Sequence, residues 1–244
     1  MNVLRPLGVA AGAALAVQWS PATAVVLPAA ARAFGIPTTV EGAGVLLTFD
    51  DGPHPEGTPA VLDELDRLGA SAVFFVSGEQ VERYPELVKE IAAAGHDLGL
   101  HGFRHQARRQ WSRGLLVDDT RRALDAVSAA GGIEPILYRP PRGVFSRAGL
   151  RLIRDLGLRP LLWSKWGRDW ERGATPETIA DRATAGLEGG DVVLLHDADH
   201  YSAPGSWRAT TAALGPIAER IATLGLPGGV RMIERLKGGR AWKR

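Results

Sequence analysis

The chain of 244 residues contains no cysteine. This absence excludes a disulfide framework, a thiolate nucleophile and a zinc site built on cysteine. Any metal site must therefore be built from histidine, aspartate or glutamate. A chain without cysteine is compatible with an oxidising compartment, but the absence alone does not indicate export.

Net charge is also small. The 29 lysines and arginines are nearly balanced by 27 aspartates and glutamates, which leaves a formal charge of +2. No run of lysine or arginine resembles a nucleic-acid-binding surface, so we expect no nucleic-acid partner. The length and the hydrophobic fraction of 45% suit one sizeable globular domain.

The amino-terminal region differs from the rest of the chain. Leu7 to Val17 is an apolar run that follows Arg5, a pattern typical of a signal peptide. Small-residue triplets that offer cleavage sites follow at 22–24 and 29–31. A surface or membrane-lying helix is the alternative, because a single arginine precedes the run and Gln18 and Trp19 interrupt it. The run is too short for a transmembrane helix. We predict a signal peptide or membrane-associated leader over 1–40 and a catalytic domain over 41–244. We therefore expect a secreted or cell-envelope location, and a cytoplasmic one stays open.

Short apolar runs alternate with helix patterns after the leader. The predicted strands are 45–49, 72–76, 97–100, 136–138, 160–163, 192–195 and 230–233. The predicted helices are one that begins at an N-cap Thr58, then 84–94, 118–130, 147–156, 176–187 and 209–224. Strands that alternate with helices indicate a parallel sheet, and continuous apolar runs indicate strands covered on both faces. About seven strands in roughly 200 residues favour an α/β fold of the (β/α) barrel type over a doubly wound sheet.

Polar residues follow several of the predicted strands. They are Asp50, Asp51, His101, Arg139, Asp169 and His196. The carboxyl ends of parallel barrel strands meet at one rim, where active sites are built. We therefore expect these side chains to lie together. His96 precedes its strand, at the opposite rim, and is interpreted as structural.

His101 and His105 are four residues apart. On one face of a helical turn, this spacing lets two imidazoles reach one zinc ion. One carboxylate would complete a set of ligands with open positions for water and substrate. Non-haem iron oxygenases use a similar set and are a rival interpretation. The adjacent Asp50 and Asp51 repel each other unless a cation or an arginine compensates, although an ordinary Asp-Gly turn is the alternative.

Five blocks in this order resemble the polysaccharide deacetylases, a group that includes chitin, peptidoglycan and acetylxylan deacetylases. The blocks are Thr48–Pro53, His101–His105, Arg139–Gly143, Asp169–Trp170 and Leu194–Asp197. The resemblance implies a distorted (β/α) barrel and a divalent metal, usually Zn²⁺, with Co²⁺ or Ni²⁺ as alternatives. By position, it implies that Asp51, His101 and His105 are the metal ligands. It also implies that Asp50 is the catalytic base, paired with Arg139.

The same resemblance assigns roles to the later blocks. His196 would be the catalytic acid, and Asp169 would orient it. Trp170 and Leu194 would form the wall against the acetyl methyl group. General chemistry agrees, because a metal polarises an amide carbonyl and acidifies water, a carboxylate takes a proton and an imidazolium returns one.

Two positions depart from the family pattern and concern the substrate. Arg142 stands where the family often has tyrosine, so a cationic side chain either favours an acidic substrate or points to solvent. Trp166 stands where a carboxylate is common. Together with Trp163 and Trp170 it suggests a platform for sugar rings.

We predict a monomeric, metal-dependent hydrolase that removes N-acetyl groups from N-acetylglucosamine-containing glycans, such as peptidoglycan, chitin or their oligosaccharides. An O-acetyl esterase acting on xylan and a deacetylase of a small N-acetyl sugar are enzymatic alternatives. A catalytically inactive glycan-binding homologue is the non-enzymatic one. A serine hydrolase is excluded because no Gly-x-Ser-x-Gly motif is present.

Overall fold

The computed structural model describes residues 15–106, 112–132 and 134–227. Its strands are β1 Leu46–Asp50, β2 Ala72–Val76, β3 Asp97–Leu100, β4 Leu137–Tyr138, β5 Arg159–Pro160, β6 Lys165–Trp166 and β7 Val192–His196. Its α-helices are α1 Pro28–Ala33, α2 Gly57–Arg67, α3 Gly78–Arg83, α4 Pro85–Ala93, α5 Arg113–Gly131, α6 Arg147–Asp155, α7 Pro176–Thr184 and α8 Ser206–Thr223. Short 3₁₀ turns span Ser20–Val25 and Pro141–Gly143. The predicted strand at 230–233 lies outside the described residues.

The seven strands form one parallel sheet in the order β5-β4-β3-β2-β1-β7-β6. β5 and β6 therefore lie at opposite edges, although only residues 161–164 separate them. The steps from Pro160 to Lys165 span at most about 18 Å. The edges of a flat seven-stranded sheet would lie about 29 Å apart. The sheet must curl until its edges approach, which confirms the predicted distorted (β/α) barrel.

This curvature also explains why the predicted strand at 160–163 is wrong as a single element. The Leu161 N–H donates to Tyr138 O at 3.1 Å on one edge, and the Ser164 N–H donates to Val192 O at 3.0 Å on the other. Between them, the Leu162 N–H donates to Pro37 O. The chain crosses the gap between the edges instead of continuing along one strand.

The core has two parts because alternate strand residues face opposite sides of the sheet. A small apolar cluster contains Leu46, Val73, Phe75, Leu137 and Val192, which come from the four strands β1, β2, β4 and β7. The larger cluster contains their strand neighbours and the buried faces of the helices. Thr48 and Asp50 share the face of Leu46, so the interior of the barrel becomes polar toward the carboxyl ends of the strands.

Most predicted helices are present, with differences at their ends. Thr175 caps α7 as predicted, in a capping box with Thr178, but the helix ends at Thr184 instead of 187. The prediction that Thr58 caps α2 is wrong, because the helix begins at Gly57 and no side chain caps it. The Thr58 hydroxyl instead donates to the carboxylate of Asp197, 139 positions away in the sequence. The helix α3 was not predicted.

The amino-terminal segment packs onto the domain from residue 20 onward. Ala24, Ala31 and Ile36 are at most 4% exposed and belong to the larger core cluster. The boundary of the leader at residue 40 stays a prediction. Within the part of the chain that the structure describes, no helix is long and apolar enough to cross a membrane.

Candidate active site

The site begins where β1 ends. Asp50 is the last residue of the strand, and Asp51 has a φ of 80°, outside the usual range for a residue with a side chain. The chain therefore turns at Asp51 itself, one residue earlier than Gly52 and Pro53. Such unusual backbone conformations are concentrated at functional sites, because only the surrounding structure can maintain them. Both carboxylates are almost fully buried, at 3% and 4% exposure.

Asp51, His101 and His105 meet in one place, as predicted, and we call them the triad. Asp51 Oδ1 lies 3.4 Å from His101 Nε2 and 3.5 Å from His105 Nε2. The three potential ligand atoms all lie within 4.8 Å of one another. Among the described residues, Asp51 Oδ1 is a buried oxygen with no hydrogen-bond partner. A buried carboxylate oxygen facing two imidazole nitrogens has the donor chemistry of a divalent cation site.

The two imidazoles are prepared for ligation in different ways. His101 Nδ1 lies 2.9 Å from the backbone carbonyl of Arg139, so Nδ1 carries the proton and Nε2 presents its lone pair to the triad. Burial lowers the pKa of His105 to about 4; the Asp51 carboxylate opposes this effect, and the charge of Arg142 adds to it. His105 is therefore neutral near pH 7, as a metal ligand must be.

The convergence of the histidines does not come from a helical turn, so that part of the prediction is wrong. Residues 101–106 form bends without a helix. Gly102 has a φ of 78°, which glycine adopts without steric cost. The Phe103 N–H donates to the buried Asp119 carboxylate at 2.9 Å, which fixes the loop to α5.

Arg139 is fully buried and pairs with Asp50, as predicted. Arg139 Nη1 donates to Asp50 Oδ1 at 2.7 Å and to the Thr48 hydroxyl at 2.9 Å. The other guanidinium nitrogens donate to the carbonyls of Leu161 and Leu162. The guanidinium also lies 4.0 Å from the centre of the Phe75 ring. The arginine thus holds Asp50 in one orientation and connects it to the segment that closes the barrel.

His196 lies beside Asp50 in the sheet register and is bound by Asp169. Asp169 Oδ1 lies 2.9 Å from His196 Nδ1, and Asp169 Oδ2 accepts the His196 backbone N–H at 2.7 Å and the Thr210 hydroxyl at 2.8 Å. Burial disfavours the imidazolium, but the charge and hydrogen bond of Asp169 outweigh it, with help from Asp51 and Asp50. Together they raise the pKa of His196 to about 10. His196 Nε2 is left facing Asp51 Oδ2 at 3.9 Å.

The predicted tryptophans form a continuous row that ends at His196. Ring centres are 6.0 Å apart for Trp163 and Trp166 and 5.9 Å apart for Trp166 and Trp170. Trp170 meets the His196 ring edge-on at 5.3 Å. Leu194 is 3% exposed and shares the face of His196 on β7. All three indoles are partly exposed, so the row is accessible to solvent.

Arg142 lies at the rim, in the turn after β4. It is exposed and has a φ of 60°, the left-handed conformation, within the turn Pro141–Gly143. Gly143 is packed so closely that a Cβ would collide with Val25 and with the Trp163 ring. The turn therefore presents Arg142 to solvent beside the triad.

Tyr201 is a residue of the site that sequence reasoning missed. Its ring stacks on His105 with centres 4.2 Å apart and an angle of 13° between the planes. Its hydroxyl donates a short hydrogen bond to Glu79 and accepts one from Gln80 at 3.3 Å, both on α3. Burial and the Glu79 carboxylate raise the pKa of Tyr201 well above its usual range. Tyr201 thus packs against His105 and restricts the orientation of its imidazole ring.

Asp197 packs against the bend that follows β1. Its carboxylate is 1% exposed, accepts the Thr58 hydroxyl at 2.5 Å and fills the space beside Gly52, where a Cβ would collide with it. Burial raises the pKa of Asp197 to about 7, although the hydrogen bond from Thr58 opposes this. The carboxylate therefore requires glycine at position 52.

A second group of potential ligands, His54, Asp199 and His200, lies nearby. Its hydrogen bonds do not favour a metal. His54 Nδ1 accepts the N–H groups of Gly57 and Glu56 at 2.9 and 3.2 Å, so His54 Nε2 carries the proton. His54 Nε2 lies 3.1 Å from Asp199 Oδ1 and donates to it. The group connects the loop after β1 to the loop after β7.

The predicted structural residue His96 lies away from this site. It precedes β3, is 6% exposed and packs against the Phe74 ring with centres 5.5 Å apart.

Known proteins are similar to this chain in sequence and in fold. A sequence model for polysaccharide deacetylases matches residues 38–161. A peptidoglycan-N-acetylglucosamine deacetylase of Bacillus cereus is 38% identical over 157 residues, which cover 63% of this chain and 72% of the relative. A chitooligosaccharide deacetylase of Azorhizobium caulinodans is 32% identical over 162 residues, which cover 65% of this chain and 76% of the relative.

One solved structure of similar fold is a family 4 carbohydrate esterase from Streptomyces lividans in complex with acetate. It matches with a TM-score of 0.69 and 30% identity, over 78% of this chain and 93% of that chain. The range matched to the sequence model contains the triad and Arg139, whereas Asp169 and His196 follow it in the chain.

Proposed function

This chain belongs to the polysaccharide deacetylase family, and we propose that it removes N-acetyl groups from glycans containing N-acetylglucosamine, with a divalent cation held by the triad. As a member of this family it is a hydrolase of non-peptide carbon–nitrogen bonds. The single observation that carries the proposal is the position of two titratable groups beside the triad, each held by a partner of opposite charge. Asp50 is held by Arg139, and His196 is held by Asp169.

The chemistry of the triad supports a divalent cation. Asp51 Oδ1 is buried without a hydrogen-bond partner among the described residues, and both imidazoles offer a lone pair. Two imidazoles and one carboxylate suit Zn²⁺, the ion that we propose, and also Co²⁺ or Ni²⁺. When bound, such an ion supplies Lewis acidity toward the acetyl carbonyl and acidifies water.

Asp50 is the proposed general base. Its Oδ1 accepts from Arg139, and its Oδ2 lies 3.8 Å from Nδ1 of the triad residue His101. The bond from Arg139 fixes the carboxylate so that Oδ2 can take the proton of the attacking water. Arg139 does not itself reach the reacting atoms, because its donors are directed to Asp50, Thr48 and backbone carbonyls.

His196 is the proposed general acid. Because Asp169 binds Nδ1, the proton for the leaving nitrogen is held at Nε2. The raised pKa keeps that proton in place near neutral pH. A cation in the triad would lower this pKa toward the neutral range, where proton transfer is more effective.

The accessible surface supports a sugar substrate. The partly exposed row from Trp163 to Trp170 offers apolar faces for pyranose rings, and Leu194 with Trp170 lies where the acetyl methyl group would be enclosed. Similar proteins are named for deacetylation of peptidoglycan and of chitooligosaccharides. With the predicted leader, we propose a cell-envelope glycan as the substrate and a location outside the cytoplasm.

The test is acetate release from peptidoglycan, chitooligosaccharides and acetylxylan by the purified full chain, with and without added zinc. We expect release from an N-acetylated glycan that rises with zinc. Release from acetylxylan alone would make the chain an O-acetyl esterase, and no release from any substrate by zinc-loaded protein would favour an inactive glycan-binding homologue.

A variant tests the mechanism separately. We expect Asp50→Asn to lower kcat by at least about 100-fold, because general base catalysis contributes that much or more. Asp155→Asn, the same change at an exposed position of α6, is the matched control and should retain activity. Unchanged turnover in Asp50→Asn would exclude Asp50 as the base.

A further inference from the structure

Exposed apolar side chains are concentrated at the amino terminus. Among the described residues, six large hydrophobic side chains are more than half exposed. Four of them lie close together in sequence and form what we call the N-terminal face: Leu15 at 62%, Val17 at 54%, Val26 at 65% and Leu27 at 53%. Monomeric proteins rarely leave such a group exposed without an interaction partner.

The N-terminal face is fixed to the domain. Ala24 and Ala31, on either side of Val26 and Leu27, are buried in the core at 4% and 1% exposure. Val25 packs directly over Gly143, in the turn that presents Arg142 at the active-site rim. Val26 and Leu27 therefore have a defined position beside the rim of the site.

The charges around the N-terminal face point to an anionic partner. The first 40 residues contain no aspartate or glutamate. Arg147, Arg151 and Arg154 are all exposed on α6, at the spacing that places them on one side of a helix. Arg147 lies over the Phe34 ring at 5.7 Å, and its Nε lies 3.5 Å from the Ser20 hydroxyl oxygen, so this basic stripe adjoins the amino-terminal segment.

We propose that the N-terminal face and the basic stripe of α6 dock the protein onto an anionic lipid surface. Apolar side chains beside arginines are typical of segments that lie in the membrane interface. The first 40 residues add no carboxylate to this surface, and the exposed Asp155 at the end of α6 only partly offsets its three arginines. Leu15, Val17, Val26 and Leu27 enter the boundary between headgroups and acyl chains, and the arginines contact lipid phosphates. The docking holds the active-site rim next to the membrane. If the proposed function is correct, the enzyme acts on glycan close to that surface.

Co-sedimentation of the full chain with vesicles tests the docking. One set contains phosphatidylglycerol and phosphatidylcholine, and the other contains phosphatidylcholine alone. We expect binding to the anionic vesicles that weakens as salt is raised, because salt screens the arginines. The double variant Val26→Glu/Leu27→Glu should bind at least about tenfold more weakly. Arg151→Glu should weaken binding to anionic vesicles on the order of tenfold.

Leu224→Glu is the matched control, since Leu224 is as exposed as Leu27 but lies at the end of α8. It should bind like the wild type. Equal vesicle binding by the double variant and the wild type would overturn the proposal, and so would a wild type that does not bind anionic vesicles. A further outcome is a wild type that forms a dimer without binding vesicles, while the double variant is monomeric. That result would show that the N-terminal face binds a second copy of this chain. Acetate release from a soluble oligosaccharide should be unchanged in the double variant, so failure of docking is distinguishable from failure of the catalytic proposal.

Discussion

Replacing Asp169 by asparagine should change stability in a pH-dependent way. Folding raises the pKa of His196 from 6.5 to about 10, although burial opposes the change. This increase in the pKa of His196 corresponds to about 5 kcal/mol in the free energy of unfolding at a pH below both values. Asp169 is the largest contributor to the increase, ahead of Asp51 and Asp50. We therefore expect its loss to cost about 3 kcal/mol, the lower end of the range for breaking a buried ion pair. A group whose pKa is raised on folding stabilises fully below its unfolded pKa and loses this effect as pH rises through its folded pKa.

The measurement is urea unfolding of chelator-treated protein between pH 6 and pH 9.5, with stability from linear extrapolation. We expect Asp169→Asn to be less stable than the wild type by about 3 kcal/mol at pH 6. The difference should shrink toward about 1–2 kcal/mol at pH 9.5, where most of the imidazolium contribution is gone and the lost hydrogen bonds to the carboxylate remain. Asp155→Asn on α6 controls for the loss of a carboxylate at the surface. A difference that stays constant or grows with pH would refute the interpretation of His196 as a protonated group held by Asp169.

Three further variants test other parts of the site. Arg139→Met leaves Asp50 buried without its partner, so we expect a loss of about 3–5 kcal/mol in urea unfolding, and equal stability would contradict the buried ion pair. Tyr201→Leu removes the ring that stacks on His105 and should weaken zinc binding by roughly tenfold or more in a competition titration with a chromogenic chelator, whereas Tyr201→Phe should keep most of the affinity. Gly52→Ala introduces a Cβ into space filled by a buried carboxylate, so its thermal midpoint should fall by several degrees, and an unchanged midpoint would contradict the packing at this bend.

The residues at the strand ends could be predicted from the sequence because parallel strands share one direction. Once Asp50, His101 and His196 are placed after strands, the sheet brings them to one rim, and the register sets Asp50 opposite His196. The pairing of Arg139 with Asp50 was predicted from the resemblance, and the hydrogen bond at 2.7 Å agrees with it.

Contacts between segments distant in sequence could not be predicted, because they produce no periodicity. Tyr201 lies in the loop after β7 and Glu79 lies on α3, 122 positions away in the sequence. Local signals also failed where long-range contacts override them. Thr58 resembles a helix cap but binds Asp197, and the histidines converge through the left-handed Gly102 instead of a helical turn.

The central claim is that the triad binds the cation on which hydrolysis depends. The most direct test is a zinc titration of chelator-treated protein, in which bound zinc and acetate release from an N-acetylglucosamine oligomer are measured on the same samples. We expect activity to rise in proportion to bound zinc and to saturate near one equivalent. His105→Gln should lose both binding and activity, because it removes a neutral imidazole ligand. Activity that persists in the chelated protein, or that saturates in His105→Gln as in the wild type, would contradict the claim.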